Sequence, residues 1–174
     1  MTLEHFRKAD MIIVCGLPGS GKSHFAGMYF RKSGIKRVNR KEIRKNFFEM
    51  FHFGEKWSDD KYHRVDESLV KYVEKKTIEH LLQAGEKVLI DNLSVSASSR
   101  EMYTAIAAKN RKIISAIFIN TDMATCIKRN RERSVDDVVP DHVIASLVAD
   151  IQFPDKREGF KDVLVIEKYE ESLR

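Results

Sequence analysis

The chain has 174 residues, 43% of them hydrophobic and 33% charged, which is typical of one globular domain and excludes disordered and fibrous proteins. No apolar run approaches the roughly 20 residues of a membrane-spanning helix, and the first ten residues carry charges, so we predict a cytosolic protein without a secretory signal or membrane partner. The formal charge of +5, from 31 Lys and Arg against 26 Asp and Glu, is a modest excess.

The cysteines and histidines indicate neither a disulfide framework nor a zinc site. Cys15 falls in a predicted strand and Cys126 in a predicted helix, and no Cys/His cluster has zinc spacing, so we expect two reduced structural thiols. The six histidines have no ligand or nucleophile spacing and are interpreted as surface or satisfied core residues.

The first strong pattern is a short apolar run followed by a glycine-rich loop. Residues 11–15 are predicted to form a buried parallel strand, and a helix over residues 24–32 ends at Gly34. The sequence between them, Gly-Leu-Pro-Gly-Ser-Gly-Lys-Ser, has the spacing of a phosphate-binding loop. This motif requires a strand before the loop and a helix after it, and both are predicted here. The alternative interpretation is a glycine-rich turn that binds no ligand.

The chemistry of this loop predicts ATP and Mg²⁺ binding. Glycines can take positive φ and turn successive backbone N–H groups toward an anion, and the following helix adds its positive dipole end. The lysine would reach the β- and γ-phosphates, and the serine hydroxyl would ligate Mg²⁺. The predicted nucleotide-binding residues are Gly16, Pro18, Gly19, Ser20, Gly21, Lys22 and Ser23.

Strands and helices alternate along the rest of the chain. The predicted elements are an extended segment at 36–39, a helix at 41–53, a long helix from Ser58 or Asp59 to Ala84, a strand at 87–91, a helix from Ser96 or Ala97 to Asn110, a strand at 113–120, a helix from a cap at Thr121 or Asp122 to Arg133, a turn at 134–137, a helix opened by Pro140, a loop at 154–159, a strand at 163–166 and a polar tail at 167–174. This alternation predicts an α/β fold, a parallel sheet with helices on both faces. Ligands of such sheets bind at the carboxyl ends of the strands.

Basic residues are concentrated just after the phosphate-binding loop. Such a cluster suits an anionic partner such as nucleic acid, and a solvated basic face is the alternative. The phenylalanines that follow are expected mostly in the core, although an exposed one could stack on a base. The basic residues are Arg31, Lys32, Lys36, Arg37, Arg40, Lys41, Arg44 and Lys45, opposed only by Glu42.

Two further segments have candidate roles. Asp91 ends a Val-Leu-Ile run, where a carboxylate would bind Mg²⁺ beside Ser23, and a capping aspartate is the alternative. In the segment 128–133, Arg129 and Arg133 share one helix face, whereas Arg131 points away. Two guanidiniums on one face suit a lid that closes over a triphosphate, and a solvated helix paired through Glu132 is equally compatible with this segment.

Six motifs follow one another along the chain: the phosphate-binding loop, Asn-Arg-Lys-Glu-Ile-Arg at 39–44, Asp91, Lys-Arg-Asn-Arg-Glu-Arg at 128–133, Val-Pro-Asp-His-Val-Ile at 139–144 and Glu-Gly-Phe at 158–160. Together they resemble the kinase domain of polynucleotide 5′-hydroxyl kinases and their relatives, over nearly the whole chain. The resemblance implies a single P-loop kinase domain over residues 1–174, a parallel five-stranded sheet, a lid near residues 128–139, and transfer of the ATP γ-phosphoryl group to a 5′-hydroxyl of RNA or DNA with Mg²⁺. By position, Arg44 would contact the acceptor-side phosphate, and Arg129 and Arg133 would be lid arginines.

One residue departs from the family pattern. After Asn-Arg the family usually has an aspartate that acts as general base, and this chain has Lys41, which cannot accept a proton while protonated. Glu42 is a candidate substitute, although adjacent helical residues differ in direction by about 100°. Two alternatives therefore stay open: a kinase of an anionic small molecule such as a nucleoside monophosphate, which needs no base, and an ATP-binding module without transfer.

Overall fold

The computed structural model describes residues 3–167, and one parallel sheet organises them. Its strands are β1 (Met11–Cys15), β2 (Lys36–Val38), β3 (Val88–Asp91), β4 (Ile114–Asn120) and β5 (Val163–Glu167), in the spatial order β2-β3-β1-β4-β5. All four neighbouring pairs are parallel. The predicted α/β fold with a five-stranded parallel sheet is confirmed. The predicted tail beyond Glu167 lies outside the described residues.

Seven α-helices connect or flank the strands in the described part of the chain. They are α1 (Leu3–Phe6), α2 (Lys22–Phe30), α3 (Arg40–Phe51), α4 (Glu67–Gln83), α5 (Ala97–Lys109), α6 (Met123–Arg131) and α7 (Asp141–Ala149). Short 3₁₀ helices lie at Asp59–Arg64, Val135–Asp137 and Lys156–Glu158. The helix α1, which is only four residues long, was not predicted. Within residues 3–167, no helix has the length and apolar character needed to cross a membrane.

The sheet has a hydrophobic core on each face, because successive side chains of a strand point to opposite sides. Ile12 and Val14 pack with α1 and α2 on one face, whereas Ile13 packs with α4 and α5 on the other. The central strand β1 is therefore buried along its whole length. This placement leaves the loop after β1 at the carboxyl edge of the sheet, where it can approach a ligand.

The long helix predicted from residue 58 to residue 84 is wrong in its first part. A 3₁₀ helix ends at Arg64, and Val65 has extended backbone angles, with φ −110° and ψ 135°. The α-helix begins only after Asp66, whose carboxylate accepts hydrogen bonds from the backbone N–H groups of Ser68 and Leu69. This cap satisfies helix N–H groups that would otherwise lack partners, so the local cap overrides the apolar spacing of the segment.

The expectation that the phenylalanines of α3 lie mostly in the core is also wrong. Phe48 is buried, and Trp57 packs edge-on against it at 5.5 Å between ring centroids. Phe51 is 55% exposed, and Phe53, just after the helix, is fully exposed with φ +50°. Phe51 instead stacks on Phe47, with 5.5 Å between the ring centroids.

Candidate active site

The glycine loop is shaped by two close backbone approaches at the carboxyl edge of the sheet. A Cβ at Gly16 would lie 2.5 Å from the carbonyl oxygen of Ile119, and one at Gly19 would lie 2.1 Å from that of Cys126. Both positions have positive φ, as does Gly21, the residue before α2. Gly21 makes no side-chain cap for α2, so the first N–H groups of the helix are available to an anion.

Lys22, the first residue of α2, is buried beneath the loop. Its ammonium group donates a 2.6 Å hydrogen bond to the carbonyl oxygen of Leu17. Lys22 as a whole is only 8% exposed. Burial lowers the pKa of Lys22 to about 8, with Asp91 opposing this shift and Arg133 adding to it. Ser23 follows on the exposed side of the helix.

Asp91 lies at the end of β3 and is 1% exposed. One carboxylate oxygen, Oδ2, accepts hydrogen bonds from Arg37 Nε at 2.8 Å and Arg37 Nη2 at 2.7 Å. The other oxygen, Oδ1, is buried and has no hydrogen-bond partner. A buried carboxylate oxygen without a donor is costly, so this oxygen is suited to a cation or a water molecule bound to one.

Arg37 bridges Asp91 to the first turn of α3. Its Nη1 donates to Glu42 Oε1 at 2.7 Å, so a single guanidinium joins the Glu42 carboxylate to that of Asp91. Asn39 caps α3 by accepting from the Glu42 N–H at 3.0 Å, and its amide donates to the Asp91 carbonyl oxygen at 2.5 Å. The side chain of Glu42, unlike that of Lys41, is therefore linked through Arg37 to Asp91 at the end of β3.

Lys41 points in a different direction, toward two acids. Its ammonium lies 3.2 Å from Asp59 Oδ2 and 3.1 Å from Asp137 Oδ1. Asp59 opens the 3₁₀ helix after α3, and Asp137 lies in the segment predicted as a lid. Hydrogen bonding to Lys41 lowers the pKa of Asp137 despite the opposing effect of burial. Lys41 therefore links the start of α3 to the segment that was predicted to be a lid.

Arg44 is engaged on two sides. Its Nε donates to Glu67 at the start of α4, and its guanidinium lies 4.7 Å from the centroid of the Tyr62 ring. This position is only partly accessible. Arg44 thus contacts both the start of α4 and the 3₁₀ helix that precedes it.

The predicted lid contains the end of α6 and the 3₁₀ helix Val135–Asp137. Arg131 pairs with Asp141 at the start of α7, and Asn130 exchanges hydrogen bonds with the backbone of Val139 at 2.7 and 3.1 Å. Arg131 thus differs in orientation from Arg133, whose charge acts on Lys22. The prediction that Arg129 and Arg133 share one helix face is wrong, because α6 ends at Arg131 and Arg133 lies beyond its C-cap, Glu132.

The basic stretch is not a free cationic surface. Five of its eight members pair with acids of this chain, so most of its charge is neutralised before any partner binds. Lys36 pairs with Glu86, Arg37 with Glu42 and Asp91, Arg40 with Glu74, Lys41 with Asp59 and Asp137, and Arg44 with Glu67. This pairing removes the argument that the clustering by itself indicates nucleic acid.

Sequence reasoning missed the partners that come from distant elements. Arg37 was seen only as one of the basic residues, because nothing local indicates that β2 lies beside β3 and aligns Arg37 with Leu89. Asp59 and Asp137 belong to no motif. They come together because both carboxylates pair with the ammonium group of Lys41. An acid in the turn after α3 is a weak signal that could have been noticed.

The fold and the loop define a P-loop kinase-like domain. The profile of the AAA domain family matches residues 11–154, and the chain belongs to this family. The expected P-loop kinase fold is therefore confirmed.

The chain is also 27% identical, over 170 residues, to a protein of Acanthamoeba polyphaga mimivirus named "Putative bifunctional polynucleotide phosphatase/kinase". The match covers 96% of this chain and 32% of the mimivirus protein, so the chain spans about a third of the length of that relative.

Solved structures share the fold. Chaetomium thermophilum Kti12, crystallised in complex with ADP-AlF3, superimposes with a TM-score of 0.66 at 15% identity, covering 91% of this chain and 89% of that one. A gluconokinase from Sinorhizobium meliloti 1021 gives a TM-score of 0.59 at 17% identity, covering 93% and 85%. At these identities the similarity shows the fold alone.

Proposed function

We propose that this chain is an ATP-dependent phosphotransferase that transfers the γ-phosphoryl group to a 5′-hydroxyl of a polynucleotide. The observation that carries the phosphotransferase assignment is the glycine loop at the end of β1, with the buried Lys22 and the uncapped start of α2 beside it. The polynucleotide acceptor is supported by the name of the mimivirus relative, which matches 96% of this chain.

On the nucleotide side, the loop N–H groups and Lys22 bind the phosphates. The unpaired Oδ1 of Asp91 and the Ser23 hydroxyl suit Mg²⁺, which when bound offsets the charge on the β- and γ-phosphates. Residues 3–167 hold no group of three or more His, Cys, Asp or Glu side chains able to bind a metal, so phosphate and water oxygens would complete this shell. Arg129 and Arg133 are the lid residues that stabilise charge on the transferring group.

On the acceptor side, Glu42 takes the proton of the attacking 5′-hydroxyl. In this step a bond forms between the hydroxyl oxygen and the γ-phosphorus, the bond to the bridging oxygen of ADP breaks, and the proton goes to the Glu42 carboxylate. The Arg37 bridge supports this role, because it links Glu42 to Asp91 while Lys41 is engaged with Asp59 and Asp137. Arg44 positions the acceptor-side phosphate.

A kinase of an anionic small molecule is the second candidate. It is favoured by Lys41, a cation at the start of α3. A phosphate group of the acceptor could bind Lys41 in place of Asp59 and Asp137. The similarity to the gluconokinase fold is compatible with this reading. A chain that binds ATP without transfer is the remaining outcome.

The test is transfer of labelled γ-phosphate from ATP to a 5′-hydroxyl oligoribonucleotide and oligodeoxyribonucleotide, with nucleosides and mononucleotides in parallel. We expect label on an oligonucleotide, loss of transfer without Mg²⁺, and a decrease of about 100-fold or more in Lys22→Ala. The matched control is Lys32→Ala, at an exposed site beyond α2. Label only on small molecules would select the second candidate, and ATP binding without transfer would reject both kinases.

A further inference from the structure

Glu74, in the middle of α4, is a fully buried carboxylate that the proposed reaction does not use. A buried charge is costly unless donors surround it. Here Oε2 accepts from Arg40 Nε and Nη2, each at 2.6 Å, and Oε1 accepts from Asn92 Nδ2 at 2.6 Å and from the Tyr103 hydroxyl at 2.9 Å. Both oxygens are thus saturated with donors.

The donors also contact one another, so they form a closed network. Tyr103 accepts from Arg40 Nη2 at 3.1 Å and from Asn92 Nδ2 at 2.7 Å. Burial and the charge of Glu74 raise the pKa of Tyr103 far above its usual value, so its phenol keeps the proton that it donates. Four elements meet at this point: the start of α3, the helices α4 and α5, and the residue after β3.

Two of the residues that donate to Glu74 are next to candidate site residues in the sequence. Arg40 precedes Lys41, and Asn92 follows Asp91. These two segments are also tied directly, since the Arg40 N–H donates to Asn92 Oδ1 at 2.9 Å. Glu74 adds a second link, because it accepts from one side chain of each segment.

We propose that Glu74 is a positioning residue, which holds the start of α3 in register with the end of β3 and so sets where the acceptor lies relative to the phosphates. The inference rests on the proposed function for its consequence in catalysis, whereas the register itself is a property of the fold. Replacing a buried ion pair with apolar residues is often neutral or stabilising, so stability alone is a weak reason to have this network. Its geometry instead joins the two segments that carry the site.

The test compares Glu74→Gln with Glu79→Gln. Glu79 is a second, nearly buried acid of α4, and its ion pair is with Lys76 on the same helix, 3.2 Å away. The milder variant Tyr103→Phe removes one donor to Glu74 and keeps the carboxylate. Urea unfolding establishes that each variant is folded before it is compared.

Two readouts separate positioning from a merely structural role. In transfer assays we expect kcat/KM for the acceptor to fall by about 10- to 100-fold in Glu74→Gln, as for an acceptor misplaced by about 1 Å, while KM for ATP changes by less than about twofold. In amide exchange we expect the Arg40 and Glu42 N–H groups to exchange about tenfold faster or more, with the β1 amides unchanged. Tyr103→Phe should give smaller changes in the same direction, and Glu79→Gln none.

The outcomes are distinguishable. Wild-type acceptor kinetics and wild-type exchange at Arg40 and Glu42 in a folded Glu74→Gln or Tyr103→Phe would overturn the positioning role. Equal loss of ATP and acceptor kinetics, with exchange faster everywhere, would overturn it in favour of a structural role. If the wild-type protein transfers phosphate to no acceptor, the proposed function fails, and the exchange comparison alone decides the role of Glu74.

Discussion

Gly19 and Gly27 lie in the same region of the chain, yet substitution by alanine should change the free energy of unfolding in opposite directions at the two positions. At Gly19, φ is +79°, and a new Cβ would lie 2.1 Å from the Cys126 carbonyl oxygen. At Gly27, inside α2, nothing lies within 4 Å of the new Cβ. The pair therefore separates the requirement for glycine in the loop from the general effect of adding a methyl group.

The magnitude follows from the geometry. To bring the contact from 2.1 Å to 3.0 Å, the loop and the start of α6 must separate by 0.9 Å. Left-handed backbone costs a non-glycine residue about 1–2 kcal/mol, and overpacking costs about 1–3 kcal/mol. We therefore expect Gly19→Ala to lower the free energy of unfolding by about 2–5 kcal/mol, and Gly27→Ala to raise it by about 0.5–1 kcal/mol.

The same displacement should weaken ATP binding. A hydrogen bond to a charged group contributes about 1.5–3 kcal/mol, so losing one loop N–H contact to phosphate raises Kd by about 10- to 150-fold. Urea unfolding and calorimetric titration with Mg²⁺-ATP measure the two effects. Wild-type stability and wild-type Kd in Gly19→Ala would refute the reasoning, as would equal loss of ATP affinity in Gly27→Ala.

Three further predictions concern individual side chains. Because the pKa of Lys22 falls from 10.5 to about 8 on folding, the unfolded chain binds more protons between these values, and the stability of the free protein should rise with pH there. Bound phosphate favours the charged form of Lys22, so the lysine should take up a proton when ATP binds. Calorimetry at pH 9 should therefore show uptake of about 0.9 proton per ATP bound. If no proton is taken up, a buried lysine does not lie at the phosphates. Glu42→Gln should lower kcat by about 10²–10⁴, whereas Glu86→Gln, at the opposite end of β2, should not; equal rates would remove Glu42 as the base. Arg129→Ala and Arg133→Ala should each lower transfer by about 10²–10³ in folded protein, with Arg131→Ala as the control, and wild-type kinetics in both would exclude the lid role.

The loop and the order of the elements were predictable from the sequence because both depend on local chemistry. Glycines, a lysine and a serine within eight residues specify a phosphate-binding turn wherever the flanking strand and helix form. Helix starts at Asn39 and Asp122 are likewise local, since each side chain accepts from a backbone N–H three residues ahead. Alternation of apolar strands and helices was sufficient to predict a parallel sheet.

The connections across the site were decided by the tertiary structure alone. The spatial order β2-β3-β1-β4-β5 brings Arg37 to Asp91, which is 54 residues away in the chain. The same packing gives Lys41 two acids from separate segments and surrounds Glu74 with three donors from other elements. Ion pairs and buried networks depend on which elements become neighbours. The partner of a cation can lie far from it in the sequence, so local patterns do not predict the pair. The residue types of this protein thus specify the phosphate-binding chemistry, whereas packing determines which charges remain available for it.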